Sequence, residues 1–492
     1  MRTSLTHPLL IAEVPAGRGM GRIGLTFCPG KKQSGAMSGA WDRDLDCDLD
    51  AVASWGAAAV VSLIEEHEIA TLAVAPLGEK VAMRHMAWFH LPIADVSVPG
   101  PHFEARWESD GPALRDLLRA GFDVLVHCKG GLGRAGTIAA RLLVELGWEP
   151  AAAISAVRGA RPGAIETRDQ LTHVQGIRPV PEASPDTSIA AIRERAQGAM
   201  LGLAVGDAIG TTLEFTRRDS TPPLTDMVGG GPFCLQPGEW TDDTAMARAL
   251  GDSLEDCGGL DEADLMRKFV RWHENGDYSC TGTCFDIGIA TRQALVRWQR
   301  TGNPVAGSTD PNTAGNGSLM RLAPVAARYF RQRDALRDAA ARQSRTTHAA
   351  PEAVDACVAY AEVLADAING RPRSEVLRAH DRQPCAGAIS GIMAGSWRGK
   401  RREDIRATGY VAHSLEAALW CVGRTGSFAD AVLLAANLGE DADTTAAIAG
   451  QLAGALYGVH GIPQAWRDRV ALGNRIAGVA GRLFDACIAG PG

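Results

Sequence analysis

Several things this sequence lacks narrow its function before any motif is read. It has no basic excess: 50 lysines and arginines stand against 57 aspartates and glutamates, a formal net charge of -7. Bulk electrostatics therefore give no reason to expect nucleic acid or an anionic membrane as partner. Long apolar runs are missing too. The N-terminal apolar stretch, residues 9–12, is soon broken by Pro15 and Gly17, which predicts neither a signal peptide nor a bilayer span of about 20 residues. The eleven cysteines include no CxxC pair, a usage expected of free thiols in a reducing compartment. A soluble, cytoplasmic protein acting on a small molecule or a modified protein is the expectation.

At 492 residues the chain exceeds the roughly 250 to 300 residues that one core supports, so two domains are expected. Residues 177–188, with Pro179, Pro181 and Pro185, break periodicity and read as a linker. The predicted division is a domain over 1–178, a Pro-rich linker over 179–188 and a second domain over 189–492. In the first, apolar runs such as 58–64 and 124–126 alternate with helical patterns such as 113–120 and 137–146, which predicts an α/β domain with a central sheet flanked by helices. In the second, strand signals nearly vanish. Alanine-rich segments at helical spacing cover 189–208, 260–273, 350–367, 413–422 and 445–457, and an all-α domain follows. Glycine recurs every fourth residue at Gly198, Gly202 and Gly206 and again at Gly450, Gly454 and Gly458, lining one helical face with bare backbone. Such glycines cost about 1 kcal/mol each against alanine, so each face is expected to lie against another helix. Arg193, Arg195, Asp207 and Gln451 rule against a membrane dimer motif.

Residues 127–134 read His-Cys-Lys-Gly-Gly-Leu-Gly-Arg after an apolar run. If a strand ends at Val126 and a helix begins near Arg134, the amides of Lys129, Gly130, Gly131, Leu132 and Gly133 converge on an anion at the helix N-terminus. The same field favours the thiolate of Cys128, and the planar fork of Arg134 suits two phosphate oxygens as lysine would not. This is a phosphate loop with its own nucleophile. The overlapping Gly131-Leu132-Gly133-Arg134-Ala135-Gly136 also satisfies GxGxxG, but the expected second strand ending in an acid about 20 residues on is replaced by a helical pattern running to Arg161-Pro162. A buried structural cysteine is the remaining alternative. Asp95, after the short apolar segment 91–94, is the candidate general acid, to protonate the leaving oxygen and then activate water; a solvated loop aspartate is the alternative.

Two acidic clusters stand far downstream, Thr241-Asp242-Asp243-Thr244 and Glu440-Asp441-Ala442-Asp443-Thr444, each before a helical run. Either could be a helix cap. A cap needs one or two oxygens, however, and each start offers two carboxylates with neighbouring hydroxyls, hard oxygens suited to Mg²⁺ or Mn²⁺. No glycine and final glutamate follow Asp441 as an EF-hand requires, and zinc lacks clustered His or Cys.

The first domain resembles the cysteine-dependent dual-specificity phosphatases, most closely the cyclin-dependent kinase inhibitor 3 (kinase-associated phosphatase) group. The likeness spans most of residues 20–175 and rests on Cys28-Pro29-Gly30, Arg43-Asp44-Leu45, Leu91-Pro92 with Asp95, the 127–134 loop and Arg161-Pro162-Gly163-Ala164-Ile165-Glu166. It implies a phosphorylated substrate and no cofactor. It also exposes a departure: the resemblance expects Ser or Thr after the loop arginine, to assist departure of the thiolate, and Ala135 stands there, with Thr137 two positions late.

The second domain resembles the ADP-ribosylglycohydrolases, particularly the dinitrogenase-reductase-activating type, over about residues 190–485. The motifs are Gly198-Ala199-Met200-Leu201-Gly202 with Gly206-Asp207-Ala208-Ile209-Gly210, Glu214-Phe215, residues 238–244, residues 315–321, His413-Ser414-Leu415-Glu416-Ala417 and residues 437–444. The resemblance implies two Mg²⁺ or Mn²⁺ ions bridging Thr241, Asp242 and Asp243 with Asp441, Asp443 and Thr444 in one cleft. It further implies Glu214, then Asp286, for the acid–base or gating role, and Asn316, Gly317, Ser318 and Met320, with His348 and Tyr410 nearby, against the ADP-ribose. For Asn316 and Ser318 a simple turn, and for His348 and Tyr410 simple packing, are the alternatives.

The expected function is metal-dependent hydrolysis of the bond joining ADP-ribose to a protein side chain or small molecule, combined with cysteine-dependent phosphatase activity. The alternative is an ADP-ribose reader joined to a substrate-trapping phosphatase. The fusion raises the further expectation that both sites serve one substrate.

Overall fold

A computed structural model describes residues 1–36, 39–378 and 385–490. The chain divides into two units, Met1–Ala183 with Arg398–Asp404, and Ser184–Trp397 with Ile405–Gly492. No helix among the described residues is long and apolar enough to cross a membrane.

The first unit is built on a five-stranded sheet of β1 (Ala12–Pro15), β2 (Arg22–Phe27), β3 (Ala57–Ser62), β4 (Ala87–His90) and β5 (Asp123–Cys128), in spatial order β1-β2-β5-β3-β4. β1 runs antiparallel to β2 and the other pairings are parallel. Every residue of β3 is buried. Along β5, Val124 and Val126 enter one core cluster while Leu125 enters the other, so the sheet is covered on both faces. That burial is why its inner strands read as unbroken apolar runs rather than as alternation. Because β2, β3, β4 and β5 are parallel, the turns after them open at one edge of the sheet, where open α/β sheets bind ligands. The first three turns carry Lys31, helix α1 (Glu66–Thr71) and Asp95, and the fourth starts directly from Cys128, the last residue of β5.

The second unit is helical, with isolated bridges such as Gly315 with Tyr410 in place of strands among the described residues. Its centre is the antiparallel pair α3 (Ile189–Gly210) and α5 (Ala442–Gly461), with α4 (Asp242–Asp256) packed on it. Ser188 starts α3 by accepting from the Ala191 amide at 3.2 Å. A Cβ on Gly198 would lie 2.3 Å from the Gly454 carbonyl, one on Gly202 2.3 Å from that of Gly450, and one on Gly206 2.2 Å from that of Ala446. Bare backbone on both helices is therefore what permits the approach. Gly458 departs from the expected ladder: with φ 69° and ψ 179° it breaks α5, and a Cβ there would meet nothing closer than 3.9 Å. The ladder extends the other way, to Gly210 over Ala442. This draws the acidic start of α5 against the end of α3.

Candidate active sites

In the first unit, β5 delivers Cys128 into a turn that becomes helix α2 (Gly133–Glu145). Gly131, at φ 73°, donates its amide to the Cys128 sulfur at 3.2 Å. Any side chain there would strike the Thr26–Phe27 backbone, about 2.4 to 2.6 Å from a Cβ. Arg134 is buried. Its Nη1 donates to Glu68 Oε2 at 2.6 Å and to the Ile93 carbonyl at 2.9 Å, and its Nη2 donates to Glu68 Oε1 at 3.0 Å. Glu68 thus fixes the guanidinium plane, and the pair holds the Glu68 carboxyl below its usual range despite the opposing effect of burial. Asp95 is exposed and lies 2.9 Å from Arg134 Nη2.

Beneath the loop, the Trp88 indole donates to Ser62 Oγ at 2.8 Å and Ser62 Oγ lies 2.7 Å from His127 Nε2. Burial pushes His127 down to about 3, so it is neutral. Ala135 is buried in α2, and the Thr137 hydroxyl donates to the Gly133 carbonyl at 2.8 Å, turned into its own helix. Cys128, Lys129, Gly130, Leu132, Arg134 and Asp95 share the wall of one cavity of about 620 Å³.

In the second unit both acidic segments meet. Asp242, Asp441, Asp443 and Thr444, with Glu214, Asp286, Asn316, Gly317, Met320 and His348, line a single cavity of about 750 Å³. Carboxylate oxygens of Glu214, Asp441 and Asp443 fall within 4.8 Å of one another. At that separation each pair of charges repels by roughly 3 kcal/mol at an effective dielectric of about 20. Thr241 and Asp243 sit behind the wall: Thr241 Oγ1 is 3.0 Å from Asp443 Oδ2, and Thr444 Oγ1 is 3.3 Å from Asp243 Oδ2.

Backbone amides hold the acids in place. Glu214 Oε2 accepts from Ala442 at 2.8 Å and from Asp443 at 3.2 Å, and Asn316 Nδ2 donates to Asp441 at 2.7 Å. Phe215 donates to the Glu440 carbonyl at 2.7 Å while Glu440 donates to Thr216 at 2.8 Å, clasping the two loops. Phe215, Asp286 and Glu440 all line the cavity at positive φ, 59°, 59° and 60°. That is a region non-glycine residues seldom enter outside constrained sites.

Among the described residues no lysine or arginine lines this cavity. Burial, then the charge of Asp443, pushes Asp441 up to about 7, Asp286 to about 11 and Glu214 further upward. Asp242 and Asp243 are raised well above the carboxylate range, burial again leading. Asp243 Oδ1 is buried with no hydrogen-bond partner. Clustered hard oxygens, an orphaned carboxylate oxygen and, among the described residues, no neutralising side chain together fit divalent cations.

Two expected ADP-ribose residues face elsewhere. The Ser318 hydroxyl is buried 2.8 Å from Ser344 Oγ, and the Tyr410 hydroxyl donates to Glu352 Oε2. Neither lines the cavity; Thr408 and Gly409 do instead. His348 does line it, neutral because burial pushes it down to about 3. Its ring lies so close to Gly317 that a Cβ there would be 2.7 Å from it.

Two residues outside the expected set matter. Asp207, buried in α3, accepts from the amides of Thr241 at 2.8 Å and Thr244 at 3.0 Å, and so caps α4 from another helix. Glu68 performs the positioning of Arg134 described above.

Comparison with known proteins agrees with both cavities. Residues 188–491 match the family model "ADP-ribosylglycohydrolase". Residues 36–184 match "Swiss Army Knife protein, DSP-PTPase phosphatase domain". The chain is 50% identical over 292 residues to ADP-ribosylarginine hydrolase Tri1 of Pseudomonas putida (strain GB-1), covering 59% of this chain and 78% of that protein. It is 32% identical over 304 residues to the ADP-ribosyl-(dinitrogen reductase) glycohydrolase of Rhodospirillum rubrum, covering 61% and 97%. A solved "ADP-ribosylglycohydrolase-related protein complex" superimposes with a TM-score of 0.53 at 38% identity, over 61% of this chain and 99% of that one.

Proposed function

The chain belongs to the ADP-ribosylglycohydrolase family, and on that premise we propose that its helical unit hydrolyses, with divalent metal, the glycosidic bond joining ADP-ribose to arginine. The N-terminal DSP-PTPase-type domain, in the same proposal, hydrolyses a phosphate ester through Cys128. The observation that carries the first half is the meeting of Asp242 with Asp441, Asp443 and Glu214 in one cavity. Arginine as the linkage is supported by the name of the 50% identical relative.

Asp242, Asp243, Asp441 and Asp443, with Thr241 and Thr444, would hold two Mg²⁺ or Mn²⁺ ions. When bound, the ions would orient the ribose hydroxyls and polarise water beside the anomeric carbon. The chain's own groups do the rest. Burial, then the charge of Asp443, pushes the Glu214 pKa upward, a direction that suits it to give a proton to the departing guanidine nitrogen and then accept one from water. Asp286, pushed up to about 11 by burial, stands second in that role. Asn316 holds Asp441 by the 2.7 Å hydrogen bond to Oδ2, and neutral His348 walls the sugar side without adding charge.

In the other cavity, the Cys128 thiolate attacks phosphorus and the ester oxygen leaves with a proton from Asp95. Water, deprotonated by Asp95, then displaces the thiolate and releases phosphate. Arg134 steadies the equatorial oxygens as charge builds, its plane set by Glu68. No hydroxyl stands at position 135 to ease departure of the thiolate, and Thr137 is committed to Gly133. The second step should therefore limit turnover.

A panel of ADP-ribosylated arginine, serine and small-molecule compounds, assayed with wild type, Asp242→Ala and Cys128→Ser, tests the first half. Release of ADP-ribose from arginine should vanish in Asp242→Ala and persist in Cys128→Ser. Loss in both variants, or release by neither wild type nor variants, contradicts the assignment.

A further inference from the structure

The cavity over Cys128 holds more positive charge than one phosphate ester uses. Arg134 and the loop amides account for a single phosphoryl group, yet Lys31, Arg161 and Arg2 line the same cavity, against two carboxylates, Asp95, which already pairs with Arg134, and Glu166. Among the described residues none of these three joins an ion pair, whereas Lys129 and Arg134 both pair with Glu68.

Lys31 is the decisive one. It is 5% exposed, and its ammonium makes a long 3.4 Å contact with the Lys129 carbonyl. The ammonium stands 4.3 Å from the ring centroid of Trp41 and 4.9 Å from that of Phe27, so an aromatic floor, not a carboxylate, supports the cation.

Its placement is built. Asp48 accepts from the Gly30 amide at 2.8 Å and is itself gripped by Arg43 through two 2.7 Å bonds. The Lys31 carbonyl accepts from the Arg43 amide at 3.3 Å, and the Lys32 amide is anchored on the Leu72 carbonyl at 2.9 Å. Arg161, across the loop, donates Nε to the Gly131 carbonyl at 3.3 Å. A buried ammonium with no carboxylate partner among the described residues is expensive to keep, and burial here lowers the Lys31 pKa to about 8 against the opposing effect of the Cys128 thiolate that shares the cavity. A ligand anion resolves that cost.

We propose that the substrate of this cavity carries a second phosphoryl group, bound by Lys31 and Arg161 while the first sits in the loop over Cys128. The substrate is a small bisphosphorylated molecule rather than a phosphorylated protein side chain. Lys31 is nearly enclosed, so the second anion must enter the same cavity of about 620 Å³ as the first, a volume that suits a metabolite. Acidic neighbours of a phosphorylated side chain would stay outside on the surface. The inference rests on the phosphatase reading only for what becomes of the first phosphate.

Calorimetric titration of the full chain carrying Cys128→Ser tests it without turnover. The probes are fructose 1,6-bisphosphate, adenosine 3′,5′-bisphosphate and inositol 1,4-bisphosphate, each against its monophosphate, and one phosphotyrosine peptide. A charge-assisted contact predicts that at least one bisphosphate binds about tenfold or more tightly than its monophosphate. Adding Lys31→Met should bring that ratio towards one, and so should adding Arg161→Gln. The half-buried Arg161 keeps the test alive if the Lys31 variant does not fold. Equal binding of mono- and bisphosphates throughout overturns the proposal, as does a peptide that outbinds every bisphosphate. If wild type releases phosphate from none of the probes while the bisphosphate preference persists, the phosphatase reading fails and this one stands. Turnover of monoesters without any such preference overturns this proposal and leaves the phosphatase reading in place.

Discussion

Gly202→Ala is a sharp test of how the helical unit builds its acidic cavity, because two effects of known size oppose each other. In an exposed helix the change would stabilise by about 1 kcal/mol, through helix propensity and the unfolded chain's entropy. In α3 the new Cβ would lie 2.3 Å from the Gly450 carbonyl oxygen and 3.0 Å from the Phe428 ring. An ordinary contact begins near 3.4 Å, so α3 and α5 must part by about an ångström. The obstacle is backbone and cannot rotate away. Overpacking of this kind costs about 1 to 3 kcal/mol, and the rigid neighbour puts Gly202 at the upper end. The net is a loss of roughly 2 kcal/mol, read as a fall in Tm of roughly 3 °C for a unit of this size. The same separation moves Asp207 and Asp443 apart, and an ångström of misplacement costs on the order of 100-fold in rate. Differential scanning calorimetry and release of ADP-ribose measure the two effects. Gly478→Ala is the control: its Cβ would meet only the end of the flexible Arg482 side chain, at 3.4 Å, and it should raise Tm slightly. A Gly202→Ala protein that melts at or above the wild-type temperature would refute the account of the helix pair.

Two further outcomes follow from the cysteine cavity. Ala135→Ser should raise steady-state phosphatase turnover by about 10-fold or more, since a hydroxyl assisting the thiolate acts on the slow step; the pre-steady-state burst expected of wild type should shrink, and an unchanged burst would rule against slow phosphocysteine hydrolysis. Lys31 supplies the pH dependence. Burial holds its folded pKa near 8, below the usual lysine value, so its contribution to stability rises with pH between about 8 and 10.4. Binding a second anion needs the charged form, so bisphosphate affinity should fall about tenfold between pH 7 and pH 9, a range where the phosphate's own ionisation near pH 6 is already complete. Calorimetry across that range checks it, and a flat profile contradicts the role given to Lys31.

What the sequence could and could not say divides along physical lines. The cysteine loop and the acidic helix starts were legible because each packs its chemistry into consecutive residues at a strand end or helix start. The α/β and all-helical characters were legible because parallel strands buried on both faces read as apolar runs. Asp207 was not legible as a site residue, since its work is done on α4 through the Thr241 and Thr244 amides; the available signal was an acid within the otherwise apolar run from Ala199 to Ile209. Glu68 carries no motif of its own, and only the fold brings it to Arg134. Lys31 belongs to the turn after a different strand from Cys128, and parallel pairing places the two turns together. Ser318 and Tyr410 lie in the expected segments, but their side chains are committed to Ser344 and Glu352. Spacing of four residues placed Gly458 with Gly450 and Gly454, yet its backbone leaves the helix, which periodicity does not reveal.

The central claim is that Asp242, Asp441 and Asp443, distant in sequence, enclose divalent cations. Titration of Mn²⁺ into the metal-free chain, followed by electron paramagnetic resonance, tests this most directly. Wild type should bind two ions per chain, Asp443→Asn should lose at least one, and a chelator should abolish ADP-ribose release together with the bound signal. A folded wild-type chain that binds no Mn²⁺, or that releases ADP-ribose equally well with the metal stripped, would contradict it.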